Sequence, residues 1–300
     1  MLRVVESHRF EELAVALAEA LAPVASPFAP PRVAIPSRAV GRWVQYALAT
    51  RAGIAAGYQT EFLEGLIATE LTADQPDLRP LGKGGLEAAL ASVLADRTVL
   101  DHPALAPART YLASDGDDGV GPRRVQLAAE LADRTWEYAL GRPEWLDAWA
   151  AGRAVDSDDV LDPAIARWHG ALWHATTRHL ARLDGPRLVP IPSLAVARRR
   201  ARLAAPPGPP VFVIGLSYMP RVYLDALAYL AEARPVTVLA MSPCAAYWAD
   251  VQRPRRRRAA VAPDDPVALT RWGSPGRDTL AALAELVEGD IDDRFGDSAA

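Results

Sequence analysis

"VFVIGLSYMPRVYLDALAYLAEARPVTVLAM", residues 211 to 241, decides the fold class. It opens with a β-branched apolar run, breaks at "SYMP", continues with Val222, Leu224, Leu227 and Leu230 at helical spacing, and closes on a second apolar run from Val236 to Met241. Strand, helix and strand in that order form a βαβ unit. The proline-rich "AAPPGPP" (Ala204 to Pro210) marks a boundary just before it. The same alternation stands at the other end of the chain. "LRVV" (Leu2 to Val5) reads as a strand, and a helix from Ser7 repeats Phe10, Leu13, Leu17 and Leu21. After "APVASPFAPP", Val33 to Ile35 is a second strand, and Arg38 to about Ala49 a second helix.

Residues 1 to about 60 and 206 to about 245 are therefore expected to share one parallel sheet. From Phe62 to Leu203 the strand signal disappears, and helical segments follow one another between turn clusters such as "TADQPDLRPLGKGG" and "SDGDDGVGPRR". The predicted organisation is an α/β domain in two pieces, 1–60 and 206–300, the second carrying a basic loop and a C-terminal tail, with a helical insertion at 61–205. Within the insertion, Gly141-Arg142-Pro143 separates two helices. Trp145 and Trp149, one turn apart, are assigned to core packing.

Three hundred residues, half of them apolar, can bury one or two cores. No run is long and apolar enough to span a membrane, and the charged N-terminus has no signal-peptide core, so a cytoplasmic protein with no membrane partner is expected. Cys244 is the single cysteine, which excludes an internal disulfide and a cysteine-based zinc site. Net charge is −4, yet Lys83 is the one lysine among 33 basic residues, so positive charge sits almost wholly on planar guanidinium forks that suit phosphate. Genomic base composition explains the total, so the location of the arginines matters more than their number.

A nucleotide-hydrolysing domain of this layout needs a glycine-rich loop ending in Lys-Ser/Thr after the first strand. Here that junction is "VVESHRFEE", with no glycine or lysine and with Glu6, Glu11 and Glu12 where phosphate would sit. The Gly82-Lys83 pair is followed by glycine and preceded by no predicted strand, so it reads as a loop entering a helix. An acidic pair that would hold magnesium is missing from "VFVIGLSYMP". No catalytic residue, cofactor site or metal site is assigned to this chain. His169, His174 and His179 are spaced by five, which rotates each away from the last, so they are assigned to solvated or edge positions. Asp115, Asp117 and Asp118 fit a solvated turn, and Cys244 a small buried side chain.

The second junction, "VAIPSRAVGRWVQYAL" (Val33 to Leu48), keeps what an anion needs. Ser37 stands at the helix N-cap, where its hydroxyl and the free N–H groups gather, and Arg38 and Arg42 extend the site by one turn. Phosphate contact and pairing with acidic neighbours are both open for these arginines. The runs Arg198, Arg199, Arg200, Arg202 and Arg255 to Arg258 fit either a nucleic-acid path or a solvated loop.

Five stretches, in order, carry a family resemblance: "MLRVVESHRFEEL", "SPFAPPRVAIPSRAVGRWVQYALATRAGIAAG", "YALGRPEWLDAWAAG", "VFVIGLSYMPRVYLDALAYLAEARPVTVLAMSPCAAYWADV" and "RWGSPGRD". Together they span almost all of the chain and resemble the N-terminal region of the exodeoxyribonuclease V gamma subunit, RecC. The resemblance implies a degenerate superfamily 1 helicase-like, P-loop NTPase-like sheet domain that has lost hydrolysis. It implies work in double-strand-break repair within a RecBCD helicase-nuclease, beside RecB-like and RecD-like subunits that hold the ATP and magnesium. The ligands implied are single-stranded and duplex-end DNA, with Chi readout in some lineages. By the same resemblance Ser37, Arg38 and Arg42 contact the strand, as does Arg142, with Asp133, Arg134 and Trp136 as nearby candidates. Family members carry polar amides at the second junction where this chain has Pro36, Arg38 and Arg42, so an identical Chi sequence is not implied. Family members also continue through a second lobe and a nuclease-like fold, which implies a fragment, a truncated product or part of a split gene. The alternative class is a protein-interaction module, or a gene fragment, that touches no DNA.

Overall fold

The computed structural model describes residues 1–113, 121–155, 160–243 and 273–295. The chain forms two compact units, one from Met1–Leu71 with Leu203–Ala300, the other from Thr72–Arg202.

The first unit is built on a six-stranded sheet whose strands all pair in parallel. In chain order they are β1 (Leu2–Ser7), β2 (Arg32–Ile35), β3 (Gln59–Phe62), β6 (Val211–Ile214), β7 (Val236–Met241) and β8 (Ile291–Asp293), and across the sheet they run β3-β2-β6-β7-β1-β8. Every residue of β6 is buried, as are Val236 to Ala240 of β7, because helices cover both faces of a parallel sheet. Helix α1 (Phe10–Leu21) and α2 (Arg38–Ala52) pack Leu13, Leu17, Val44 and Leu48 against Val33, Ile35, Phe212 and Leu239. Helix α3 (Leu63–Thr72) follows β3, and α11 (Arg221–Ala231) buries Leu224, Leu227 and Leu230, each contributing ~1.5–3 kcal/mol of burial. Helix α12 (Ser274–Leu286) leads into β8.

The expected β-α-β-α opening and the later βαβ unit are both present. Two edge strands correct the prediction. β3 has the polar sequence "QTEF" and pairs Gln59 to Phe62 with Arg32 to Ile35. β8 lies in the C-terminal tail, where no strand is predicted; it pairs Val4 to Glu6 with Ile291 to Asp293, and Arg294 N–H donates to the Glu6 carbonyl at 2.8 Å.

In the second unit the strand signal was also missed. β4 (Leu78–Leu81) and β5 (Arg187–Pro190) form a two-stranded parallel sheet. Each is short and contains a proline, Pro80 or Pro190, which hides it from a propensity reading. β4 also places Gly82-Lys83 directly after a strand, against expectation. Gly82 caps α4 (Lys83–Ala95), and Lys83 pairs with Asp133. The remaining helices are α5 (Arg97–Leu100), α6 (Ala106–Leu112), α7 (Pro122–Gly141), α8 (Pro143–Ala150), α9 (Pro163–Leu180) and α10 (Leu194–Arg200). Their core holds Leu86, Leu90, Leu94, Leu131, Trp145, Trp149 and Trp173, and the indole of Trp173 donates to the Leu146 carbonyl at 2.9 Å. Gly170 lets α9 approach α8: a Cβ there would lie 2.6 Å from Trp149 Cδ1.

Of the two positions expected for His169, solvated or edge, the structure gives the half-buried edge. His169 packs between Trp168 and Tyr138, with the Tyr138 hydroxyl 2.9 Å from Nδ1, and burial, aided by Arg134, pushes its pKa down to about 4. Among the described residues no three His, Cys, Asp or Glu side chains gather as metal ligands, and no helix is long and apolar enough to cross a membrane.

Candidate nucleic-acid interface

All six strands of the first unit point the same way, so the residues that follow them collect along one edge of the sheet. After β1 the chain turns through His8 and Arg9. Ser7 is buried, its hydroxyl donating to the Arg294 carbonyl at 2.8 Å and accepting from Arg9 N–H at 3.1 Å. Nothing in this turn resembles a phosphate loop.

After β2, Ser37 is extended (φ −156°, ψ 160°) and its Oγ accepts from Val40 N–H at 3.2 Å, the N-cap geometry expected from the sequence. Gly41 lets the helix start close against its own strand, since a Cβ there would lie 2.5 Å from Ile35 Cδ1. Arg38 and Arg42, one turn apart, are exposed and line a cavity of about 320 Å³ with Ile35, Gln45, Tyr58 and Thr60. Burial pushes the Tyr58 phenol above its ordinary pKa and keeps it a neutral donor.

Pairing separates these arginines from the others of the unit. Arg3, Arg32, Arg51, Arg221, Arg234, Arg277 and Arg294 each hold a carboxylate. Arg234 is the extreme case: its side chain is 1 % exposed and it bonds Glu70 as well as the Pro206 and Pro207 carbonyls. Among the described residues Arg9, Arg38 and Arg42 hold no carboxylate, and all three stand at the sheet edge just described. The nearby acids are engaged elsewhere: Glu61 by Arg32, and Glu64 by the Tyr223 hydroxyl at 2.7 Å.

The same edge carries aromatic rings that sequence reasoning did not single out. Phe62 ends β3 and Tyr218 follows β6, the two neighbours of β2, and they are 49 % and 54 % exposed. Trp43 lies against Phe10 with ring centres 4.9 Å apart, and Phe10 in turn covers Gly215, where φ is +76° and a Cβ would meet the ring at 2.9 Å. The α2 face beyond Arg42 adds Tyr46. Exposed aromatics at strand ends were the available signal, but a sequence does not give exposure. Cations free of carboxylates beside open rings can hold phosphates and stack bases.

The candidates in the second unit fare differently. Trp136 is 8 % exposed and belongs to the helical core, so it offers no ring to a ligand; this corrects its assignment. Asp133 is paired with Lys83, and Arg134 donates to Glu137 at 2.8 Å. Arg142 caps the break between α7 and α8 and lies over the Trp145 ring at 5.7 Å, with its side chain 46 % exposed and Glu144 4.0 Å away. In the 198–202 run, Arg198 is buried and gripped by Asp74, so it lies neither on an open path nor in a solvated loop, and Arg200 is exposed and pairs with Asp147. Asp115, Asp117, Asp118, Cys244 and Arg255 to Arg258 lie outside the described residues.

Fold and site define an α/β protein whose parallel sheet presents, at its carboxyl edge, cations and aromatic rings in place of a phosphate loop. The chain belongs to the RecC N-terminal domain family, whose model matches residues 2–298. It is 27 % identical over 338 residues to the RecBCD enzyme subunit RecC of Escherichia coli, an alignment covering 99 % of this chain and 29 % of that protein. The subunit of the same name from Haemophilus influenzae is 24 % identical over 257 residues, covering 76 % of this chain and 22 % of the relative. That of Mycolicibacterium smegmatis is 32 % identical over 177 residues, 56 % of this chain and 15 % of the relative. The chain thus spans less than a third of the length of these curated relatives.

Proposed function

We propose that this chain is a non-hydrolysing, strand-guiding part of a RecBCD-type complex in double-strand-break repair, and that it grips single-stranded DNA at the edge formed by Ser37, Arg38 and Arg42. The observation that carries the reading is the absence of any carboxylate partner for Arg38 and Arg42, among the described residues, beside a capped helix start and an open cavity. A guanidinium pair in that setting engages phosphate with forked hydrogen bonds, and Phe62, Trp43 and Tyr218 supply faces for bases. Arg142 adds a contact on the helical unit. The domain is read as a decayed superfamily 1 helicase-like fold: the β1 turn has no glycine, and its serine is turned inward to Arg294. ATP and magnesium belong on RecB-like and RecD-like partners, whose motion this subunit converts into a strand path. Arginines at the second junction favour backbone contact over base readout, so any Chi signal read here differs from one read through amides.

The test is single-strand binding by the full chain against salt. Each phosphate contact adds ~0.7 to the slope of log K against log salt, so Arg38→Ala with Arg42→Ala is expected to lower the slope by ~1.4 and weaken binding at every sequence alike. An unchanged slope and affinity would overturn the assignment of the strand to this edge. No single-strand binding at low salt would favour the protein-interaction module.

A further inference from the structure

We infer that the helical unit carries a second nucleic-acid groove along α9, built from different residues and independent of the sheet-edge reading, and that it takes a single-stranded phosphodiester backbone. Arg167, His174 and Arg178 fall on one stripe of α9 at intervals of seven and four residues, and Arg182 continues it one turn further, where the chain leaves the helix. At 1.5 Å per residue, Arg167 lies ~16 Å before Arg178 along the helix axis. The longer interval spans several phosphate steps of an extended strand, so the stripe is long enough to follow a backbone and not a single phosphate.

The stripe forms one wall of two adjoining cavities of about 870 and 330 Å³, which share His102 and His174. Each volume alone lies within the ~300–1,000 Å³ of small-molecule pockets, and it is the length of the cation stripe that suits a polymer. Arg153 adds a cation to the larger cavity. Among the described residues Arg153, Arg167 and Arg178 have no carboxylate partner. The acid facing the groove is Asp96, whose carboxylate accepts from Thr98 N–H at 2.9 Å and Thr98 Oγ1 at 2.7 Å and feels the charge of Arg182. Asp156, Asp158 and Asp159 lie outside the described residues.

The two imidazoles are set as donors and acceptors by the backbone. His102 Nδ1 accepts from Ala104 N–H at 3.2 Å, which leaves its Nε2–H as a donor, and His174 Nδ1 donates to the Ala150 carbonyl at 3.0 Å, which leaves its Nε2 to a ligand. Apolar surface from Pro103, Ala104 and Ala171 lies between the cations. A single strand can press bases on that surface while its phosphates follow the arginines, whereas a duplex offers a concave wall only phosphates.

The test is fluorescence anisotropy of a labelled oligothymidylate with the full chain across a salt series. Arg178→Ala with Arg182→Ala is expected to lower the salt slope by ~1.4, and the loss should add to that of the Arg38→Ala, Arg42→Ala pair. Both arginines are exposed, and circular dichroism checks that the fold is kept. An unchanged slope in this variant overturns the groove even if the sheet-edge variant responds. A response here with none from the sheet-edge variant leaves the groove standing and removes the other site. Duplex DNA or polyglutamate competing as well as the single strand would also overturn the proposal, assigning the stripe to duplex backbone or to an acidic protein.

Discussion

Removing Asp74 is expected to cost more stability than removing the arginine it binds. Arg198 is 1 % exposed, and its two terminal nitrogens donate to Asp74 Oδ1 at 2.6 Å and Oδ2 at 2.9 Å. Asp74 keeps 41 % of its side-chain surface in water, and the Arg198 hydrogen bonds hold its carboxyl below the ordinary carboxylate range. The two halves of the pair therefore sit in unlike surroundings. Asp74→Ala leaves a guanidinium in the interior without its carboxylate, and an uncompensated buried charge costs about 3–5 kcal/mol; Arg198 makes other contacts, which puts the value near 3. Arg198→Met fills the same slot with an unbranched apolar chain and frees a carboxylate that rehydrates at once, at a cost of about 1 kcal/mol. Urea unfolding followed by tryptophan emission reads the difference, because Trp136, Trp145, Trp149, Trp168 and Trp173 all lie in this unit. A gap of about 2 kcal/mol shifts the midpoint by roughly 1 M at an ordinary urea slope of about 2 kcal/mol per M. If Arg198→Met proves as costly as Asp74→Ala, the stabilisation lies in how the arginine packs, and the argument from stranded charge fails.

Two buried titrations should give the units opposite responses to pH. Burial, with Asp293 beside it, raises Glu6 from 4.5 to about 7, so the folded state holds the extra proton and the sheet unit loses stability as pH rises through that window; the side chain is half-buried, and screening trims the effect to ~1 kcal/mol. His169, lowered from 6.5 to about 4, is protonated more readily when unfolded, so the helical unit loses up to about 3 kcal/mol as pH falls across that range. Glu6→Gln should flatten the neutral limb of a stability–pH profile and His169→Gln the acid limb, and profiles that keep their shape would refute both assignments. Gly215→Ala forces a side chain into left-handed backbone and against the Phe10 ring, at a cost of about 1–3 kcal/mol that Phe10→Leu partly restores. A neutral Gly215→Ala, measured by thermal unfolding, would show that the Phe10–Trp43 brace yields freely.

What the sequence made legible follows from how local each signal is. β6, β7 and α11 announce themselves because a strand buried on both faces must be apolar throughout, and an amphipathic helix must repeat. Ser37 is legible for the same reason: a cap is fixed by residues three positions apart. β3, β4, β5 and β8 are three or four residues long, sit at sheet edges or in a two-stranded sheet, and carry proline or acidic residues, so only pairing with a distant strand makes them strands. Trp136 and Trp43 look alike in sequence, each on a helix within two residues of an arginine, Arg134 or Arg42. One is core and the other is half open at the sheet edge, because the helices that bury Trp136 come from elsewhere in the chain.

The arginines carry that lesson into function. In a chain with one lysine, a basic run says little, and in the run 198–200 Arg198 and Arg200 are tied to acids. Asp74 lies 124 residues from Arg198 and Glu70 164 residues from Arg234, so pairing of this kind has no local signature. Once the paired arginines are set aside, the cations left without carboxylates, among the described residues, include two ordered groups: Arg9, Arg38 and Arg42 in the turns after β1 and β2, and Arg167 and Arg178 on α9. Leaving a group of guanidinium forks without counter-charges costs self-repulsion in the folded chain, and binding a polyanion relieves it. Such a site must weaken steeply with salt, whereas an arginine already paired with a carboxylate contributes little to the slope. The salt slope of each double variant therefore measures the property that sets Arg38, Arg42 and Arg178 apart from the carboxylate-paired arginines of the described residues.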